Sequence, residues 1–174
     1  MEINHSAMSE ECFQISENIE SKSYTLGMSD RNINQVLRLY DQVNDGRLTT
    51  YEDIIDENVI WHGPSSQEIK GRTTLKNLDD SYLVAYPDAK ISILDIITQD
   101  NKVVIRWDWK GTHLGTYMGM PPTNRKVNVQ GFHIYYFSNE GKIIEIWAMP
   151  DRFGEFEQLG MISFHKQSAD PKVQ

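Results

Sequence analysis

No hydrophobic period holds over the first residues of the chain. Phe13, Ile15 and Ile19 are spaced for no more than a loose helical arm over residues 1–28. After Ser29 and Asp30, a capping pair, Ile33, Val36, Leu37, Tyr40 and Val43 recur at three- and four-residue steps. That spacing predicts an amphipathic helix, which Asn44-Asp45-Gly46 ends. Thr49 and Glu52 have the capping-box spacing and predict a second, short helix carrying Tyr51, Ile54 and Ile55. Val59-Ile60-Trp61-His62 reads as a short strand running into Gly63-Pro64. A third helix starts near Thr73 or Thr74 and buries Leu75, Leu78 and Tyr82. It stops by Tyr86, because Pro87 disfavours helical backbone in the residue before it.

The period then changes. Ala89–Thr98, Lys102–Thr112, Lys126–Phe137 and Lys142–Met149 are rich in Val, Ile, Trp and Tyr and predict four strands. Asp100-Asn101 and Asn139-Glu140-Gly141 are tight-turn sequences that join the first two and the last two as hairpins. The connection from Gly111 to Arg125 is long and rich in Gly and Pro, and such a loop inside a compact domain is usually functional. It should border a pocket. Phe153, Phe156 and Leu159 predict a last short helix, and residues 165–174 read as a solvated tail.

Helices followed by a stranded meander make an α+β fold, one domain over 29–164. Large side chains on both faces of the strands require cover on both sides. Helices supply one cover. The other face, with Val104, Phe132, Ile134, Tyr136, Ile144 and Ile146, points to a homodimer.

Composition narrows the function. The net charge of −8 without a basic stripe argues against nucleic acid and anionic membranes as partners. No stretch approaches the roughly 20 apolar residues of a membrane helix. The polar, acidic start does not read as a signal peptide, and Cys12 stands alone, so a cytoplasmic protein is expected. Phosphate-loop, dinucleotide-binding and nucleophile-elbow motifs are missing, and His5, His62, His113, His133 and His165 lack metal-ligand spacing. Neither a metal nor a nucleotide cofactor is expected.

The chemistry must come from ionisable residues at apolar positions. Alternation puts Val127, Val129, Gly131, His133, Tyr135 and Phe137 on one face, with room in front of Gly131 and His133 beside it. The same alternation puts Ile143, Glu145, Trp147, Met149 and Asp151 on one face, with Asp151 at its far end. Asp151 and His133 are the candidate catalytic pair. Tyr40, Trp61, His62, Trp107, His113, Tyr135, Glu145 and Trp147 are the candidate walls of an apolar substrate pocket. Each has a plainer role open to it. Asp151 has the position of an N-cap, His133 of a core histidine bonded to a tyrosine, His62 of a turn residue, and Glu145 of a cross-strand ion partner.

The stretch Gly111-Thr-His113-Leu-Gly115-Thr-Tyr-Met-Gly119-Met-Pro121-Pro122-Thr123-Asn124-Arg125, then Gly141-Lys-Ile-Ile-Glu145-Ile-Trp147, Asp151 and Gln158-Leu-Gly160, resembles the SnoaL-like polyketide cyclase (ester cyclase) family. The likeness runs from about Asn32 to Met161. It implies the nuclear-transport-factor-2-like cone, in which N-terminal helices close a bent sheet around a pocket. It also implies cofactor-free, intramolecular aldol ring closure of a polyketide ester. An aspartate matching Asp151 serves there as general acid/base, and a histidine matching His133 in type and approximate place holds the substrate carbonyl. Asn124 departs from the glycine common after Pro-Pro-Thr. A ketosteroid-isomerase-like or dehydratase activity, or a non-catalytic small-molecule binder, fits the same pocket.

Overall fold

The structure, a computed structural model, describes residues 27–163. The expected tail lies outside that range, as does the expected arm apart from Gly27 and Met28. Helix α1, Met28–Asn44, takes Ser29 and Asp30 into its first turn. Gly27 precedes it and no side chain caps it, so the expected capping pair is not formed. Asp30 still suits this end, where a carboxylate meets the positive pole of the helix dipole. Its buried stripe includes Val36, Leu39 and Tyr40 and leaves Leu37 exposed. Gly46 takes a left-handed φ of 70° just beyond it. Helix α2 is the single turn Tyr51–Ile54. Thr50 precedes it in place of the Thr49 box, and its N–H donates to Gln42 Oε1 at 2.7 Å.

Strand β1, Ile55–His62, starts earlier than expected and takes Ile55 from the helix. A 3-10 turn at Pro64–Ser66 leads to β2, Glu68–Lys70, and then α3, Arg72–Ala85. The meander strands lie within one residue of their expected ends. They are β3 Lys90–Gln99, β4 Lys102–Thr112, β5 Lys126–Phe137 and β6 Ile143–Pro150. Helix α4, Arg152–Leu159, follows at once.

The six strands form one sheet in the order β2-β1-β6-β5-β4-β3, antiparallel except for the parallel pair β1–β6. Helix α1 packs on β3 and β4, α3 on β1, and α4 on β5. The face between sheet and helices is apolar, as burial of half of each strand requires. Val103, Ile105, Trp107 and Trp109 of β4 pair with Tyr135, His133, Gly131 and Val129 of β5 on that face.

Two expectations change. The room in front of Gly131 is filled by Trp107: a Cβ there would stand 2.5 Å from the indole Cζ2 and 2.9 Å from the Met149 carbonyl oxygen. In β6 the alternation breaks. Phe137 pairs with Ile143 but Tyr136 with Glu145, so Ile144 is an extra residue, a β-bulge. The bulge moves Ile146 and Ala148 to the inner face and puts Glu145, Trp147 and Met149 on the outer one. Ile146 therefore leaves the expected outer set. On that outer face Ile97, Val104, Ile134 and Trp147 form one continuous row across four strands, and Phe132 and Met149 pair beside it.

The Gly131–Trp107 contact predicts that Gly131→Ala forces the indole or the β6 backbone to move. Overpacking of this kind costs about 1–3 kcal/mol. Urea unfolding measures it, and a variant as stable as the parent would show that the contact does not constrain the sheet.

Candidate functional site

Between the inner sheet face, α1 and α3 lies a cavity of about 340 Å³. Most of its wall is apolar, with Leu39, Leu75, Leu78, Ile91, Val129 and Ile146 among its residues. Pro64, Ser65 and Gln67 from the turn after β1 also line it, as do Tyr117 and Met118 from the Gly111–Arg125 loop.

Five of the candidate residues line this cavity: Tyr40, Trp61, Trp107, His133 and Tyr135. Five do not. Trp61 faces in, so its neighbour His62 faces out, and the Ile144 bulge turns Glu145 and Trp147 to the same outer side. There His62 stacks on Trp147 with ring centroids 4.0 Å apart. Its Nε2 lies 3.1 Å from Glu145 Oε1, which also accepts from Trp147 Nε1 at 2.8 Å. His113 is fully buried outside the cavity. Its Nδ1 accepts from the Thr123 N–H at 3.2 Å and lies 3.1 Å from Thr123 Oγ1, clipping together the two ends of the long loop. Asp151 is exposed, and its Oδ1 accepts from the Gly154 N–H at 2.8 Å, the geometry of an N-cap. Its neighbours Pro150 and Arg152 line the cavity, and Asp151 does not.

Among the ionisable residues that the alternation missed is Asp79. It lies on α3 among Leu75, Leu78, Tyr82 and Leu83, all cavity-lining. Positions 75, 78, 79, 82 and 83 have the spacing of one helical stripe, so a carboxyl on the apolar face was visible in the sequence. Tyr51 donates to Asp79 Oδ2 at 2.7 Å. Burial pushes the Asp79 carboxyl up to about 6, against the lowering effect of that hydrogen bond. Burial first, and then the Asp79 charge, keep Tyr51 a neutral phenol.

A second chain of groups faces the same space. The Tyr135 hydroxyl donates to the Tyr40 hydroxyl at 3.3 Å, and both lie 2.9 Å from His133 Nδ1. Burial lowers His133 to about 4, so the ring is neutral at ordinary pH. The Tyr40 hydroxyl is left to donate to Nδ1, and in the tautomer that accepts from it the ring carries its hydrogen on Nε2. That nitrogen has no partner among the described residues. The set thus offers one base poised to gain or lose a proton and one uncharged donor for an oxygen.

Among the described residues no group of three or more His, Cys, Asp or Glu could hold a metal ion, and no helix is long and apolar enough to cross a membrane. The family model described as SnoaL-like polyketide cyclase matches residues 34–159. Among curated proteins none matches in sequence. Among solved structures, a candidate SnoaL-like polyketide cyclase from Jannaschia sp. CCS1 superposes with a TM-score of 0.73 at 16% identity, covering 82% of this chain and 100% of that one. AclR, a candidate hydroxylase from Streptomyces galilaeus, gives 0.70 at 20% identity, covering 81% and 87%. IdmH, a candidate polyketide cyclase from Streptomyces antibioticus, gives 0.65 at 24%, covering 74% and 98%. At these identities the likeness establishes the nuclear-transport-factor-2-like fold alone.

Asp79 and His133 should leave opposite marks on stability. Asp79 shifts from 3.8 to about 6, so it favours the fold below about pH 4 and that favour is lost as pH rises through about 6. His133 shifts from 6.5 to about 4, so its contribution is full above about pH 6.5 and is lost as pH falls through about 4. Each shift corresponds to roughly 3 kcal/mol, and the two offset each other between about pH 4 and 6.5. Asp79→Asn should therefore lose stability on acidification across that window by up to about 1.4 kcal/mol per pH unit more than the parent. Urea midpoints measured along the window test this, and parallel profiles for variant and parent would reject it.

Proposed function

The chain belongs to the SnoaL-like polyketide cyclase family, and from that premise we propose that its cavity binds an apolar carbonyl or ester compound and closes a ring in it by an intramolecular aldol step. The observation that carries this reading is Asp79, a carboxyl poised near pH 6 in an apolar wall, lining the same cavity as a neutral imidazole. An ionised Asp79 takes a proton from the carbon next to a ligand carbonyl. The electron pair left behind moves onto that carbonyl oxygen, where the Nε2–H of His133 stabilises it. The resulting enolate carbon attacks a second carbonyl of the same molecule, forming one carbon–carbon bond. The proton held by Asp79 then returns to the new alkoxide. Nothing is oxidised or reduced, and the product is an isomer of the substrate.

Tyr51 suits this role because a phenol that stays neutral can bond Asp79 in both of its protonation states. The tyrosines behind His133 fix its ring and its tautomer. We assign the proton transfer to Asp79 and a capping role to Asp151, with His133 as the carbonyl donor.

We further propose that a second copy of the chain covers the outer sheet face. Phe132 and Met149 are 50% and 59% exposed there, beside the row through Ile97 and Trp147. Contiguous apolar surface of this kind marks an interaction site. Sedimentation should report a dimer at micromolar concentration and a monomer for Phe132→Glu, and a monomeric parent would exclude the arrangement.

With a panel of β-keto esters and anthraquinone-type esters as substrates, Asp79→Asn should lower turnover by roughly 10²–10⁴-fold while the protein stays folded. Parent activity should rise with pH through about 6 as Asp79 ionises. Asp151→Asn should leave turnover near that of the parent and cost on the order of 1 kcal/mol or less, since Asn caps about as well as Asp. A large rate loss in Asp151→Asn with Asp79→Asn unaffected would return the chemistry to Asp151.

A further inference from the structure

The cavity wall holds a second bonded group that the proton transfer does not use. Glu155 is fully buried, and its Oε1 accepts from the hydroxyls of Tyr82 at 3.1 Å and Tyr86 at 2.9 Å. Its Oε2 accepts from Arg152 Nη1 at 2.6 Å. The same Nη1 donates to the Tyr82 hydroxyl at 3.1 Å and to the Tyr117 hydroxyl. Glu155 lies behind the wall, whereas Arg152, Tyr82 and Tyr117 line the cavity, with the Arg152 side chain 22% exposed.

Two features of Arg152 point to a ligand. Among the described residues all its hydrogen bonds leave from Nη1. The N–H groups of Nε and Nη2 thus have no partner among the described residues, and a guanidinium can only donate. Arg152 is also the first residue of α4, where a cation meets the positive pole of the helix dipole. Helix stability does not call for an arginine there. Tyr82 lies one helical turn from Asp79 along α3, so this group and the proton-transfer group share one wall.

We infer that Arg152 and the Tyr117 hydroxyl form a second recognition subsite that takes a neutral carbonyl oxygen, an ester or a ketone, and so fixes which end of the ligand faces Asp79. The inference rests on the reading of the cavity as a ligand site. Charge balance selects the neutral group. Glu155 already matches the Arg152 charge, so a ligand carboxylate would add an unpaired anion to an apolar space that also holds Asp79. A carbonyl oxygen accepts from the free N–H groups without adding charge.

Three probes separate the possibilities by calorimetry on the full chain. They are dimethyl terephthalate, methyl para-isopropylbenzoate, in which an alkyl group replaces one ester, and monomethyl terephthalate, in which a carboxylate replaces it. The same set built on naphthalene covers a longer span. The parent should bind the diester roughly tenfold or more tightly than the isopropyl compound, as expected for a charge-assisted hydrogen bond, and more tightly than the half-acid. Arg152→Lys keeps a charge beside Glu155 but loses the planar fork, and Tyr117→Phe removes only a hydroxyl. In both variants the diester preference should collapse while the isopropyl compound binds as before. Equal affinities in the parent, a preference unchanged in both variants, or a half-acid that binds best would each overturn the subsite. If Arg152→Lys does not fold, Tyr117→Phe decides. If no probe binds any of the proteins, the cavity reading falls with it. Binding without ester preference removes the subsite alone, and neither result depends on the activity of Asp79→Asn.

Discussion

A carboxyl withdrawn from water depends on the donors around it, and two carboxyls at this cavity meet different numbers of them, Asp79 in its wall and Glu155 just behind it. Glu155 accepts from two phenols and a guanidinium in the protein interior. Asp79 has one phenol, too little to offset burial, and its proton affinity rises to about 6. The contrast divides their labour. A fully satisfied carboxylate holds a neighbouring arginine in place, and an under-satisfied one is ready to exchange a proton. The apolar lining is therefore an active part of the site, since it sets how much each charge costs.

Strand geometry decides which side chains feel that environment. Alternation along β4 and β5 brings Trp107, His133 and Tyr135 inward, and the bulge at Ile144 chooses what β6 contributes. Without the extra residue, Glu145 would enter an apolar space that already holds the Asp79 carboxyl. With it, Ile146 and Ala148 complete the apolar wall, and Glu145 finds His62 and Trp147 outside.

Much of this was legible in the amino-acid order. The meander strands follow from runs of β-branched and aromatic residues, and His133 inside the cavity follows from two-residue alternation. The bulge does not, because Ile143-Ile144-Glu145-Ile146 holds no glycine or other break, and it forms only as β6 pairs with both β5 and β1. That one step misplaced Glu145, Trp147 and the expected face of Asp151. Asp79 and Glu155 were legible in principle, as charges on apolar helical stripes, Asp79 beside Leu75 and Tyr82, Glu155 four residues before Leu159. A solvent-exposed charge on a short helix gives much the same local pattern, so the cavity was needed to single them out.

The parallel pairing of β1 with β6 bears on how the chain reaches this state. His62 meets Trp147 across a separation of about half the protein. The meander from β3 to β6 can form from neighbours in sequence, whereas β1, with α3 packed upon it, has no sheet edge to join until β6 is in place. Loops that long close slowly. Emerging from a ribosome, the first half of the chain exposes Leu75, Leu78 and Tyr82 to solvent until nearly the last strand is made. Apolar surface left uncovered in this way, here on the helix that supplies Asp79, is the kind that chaperones shield.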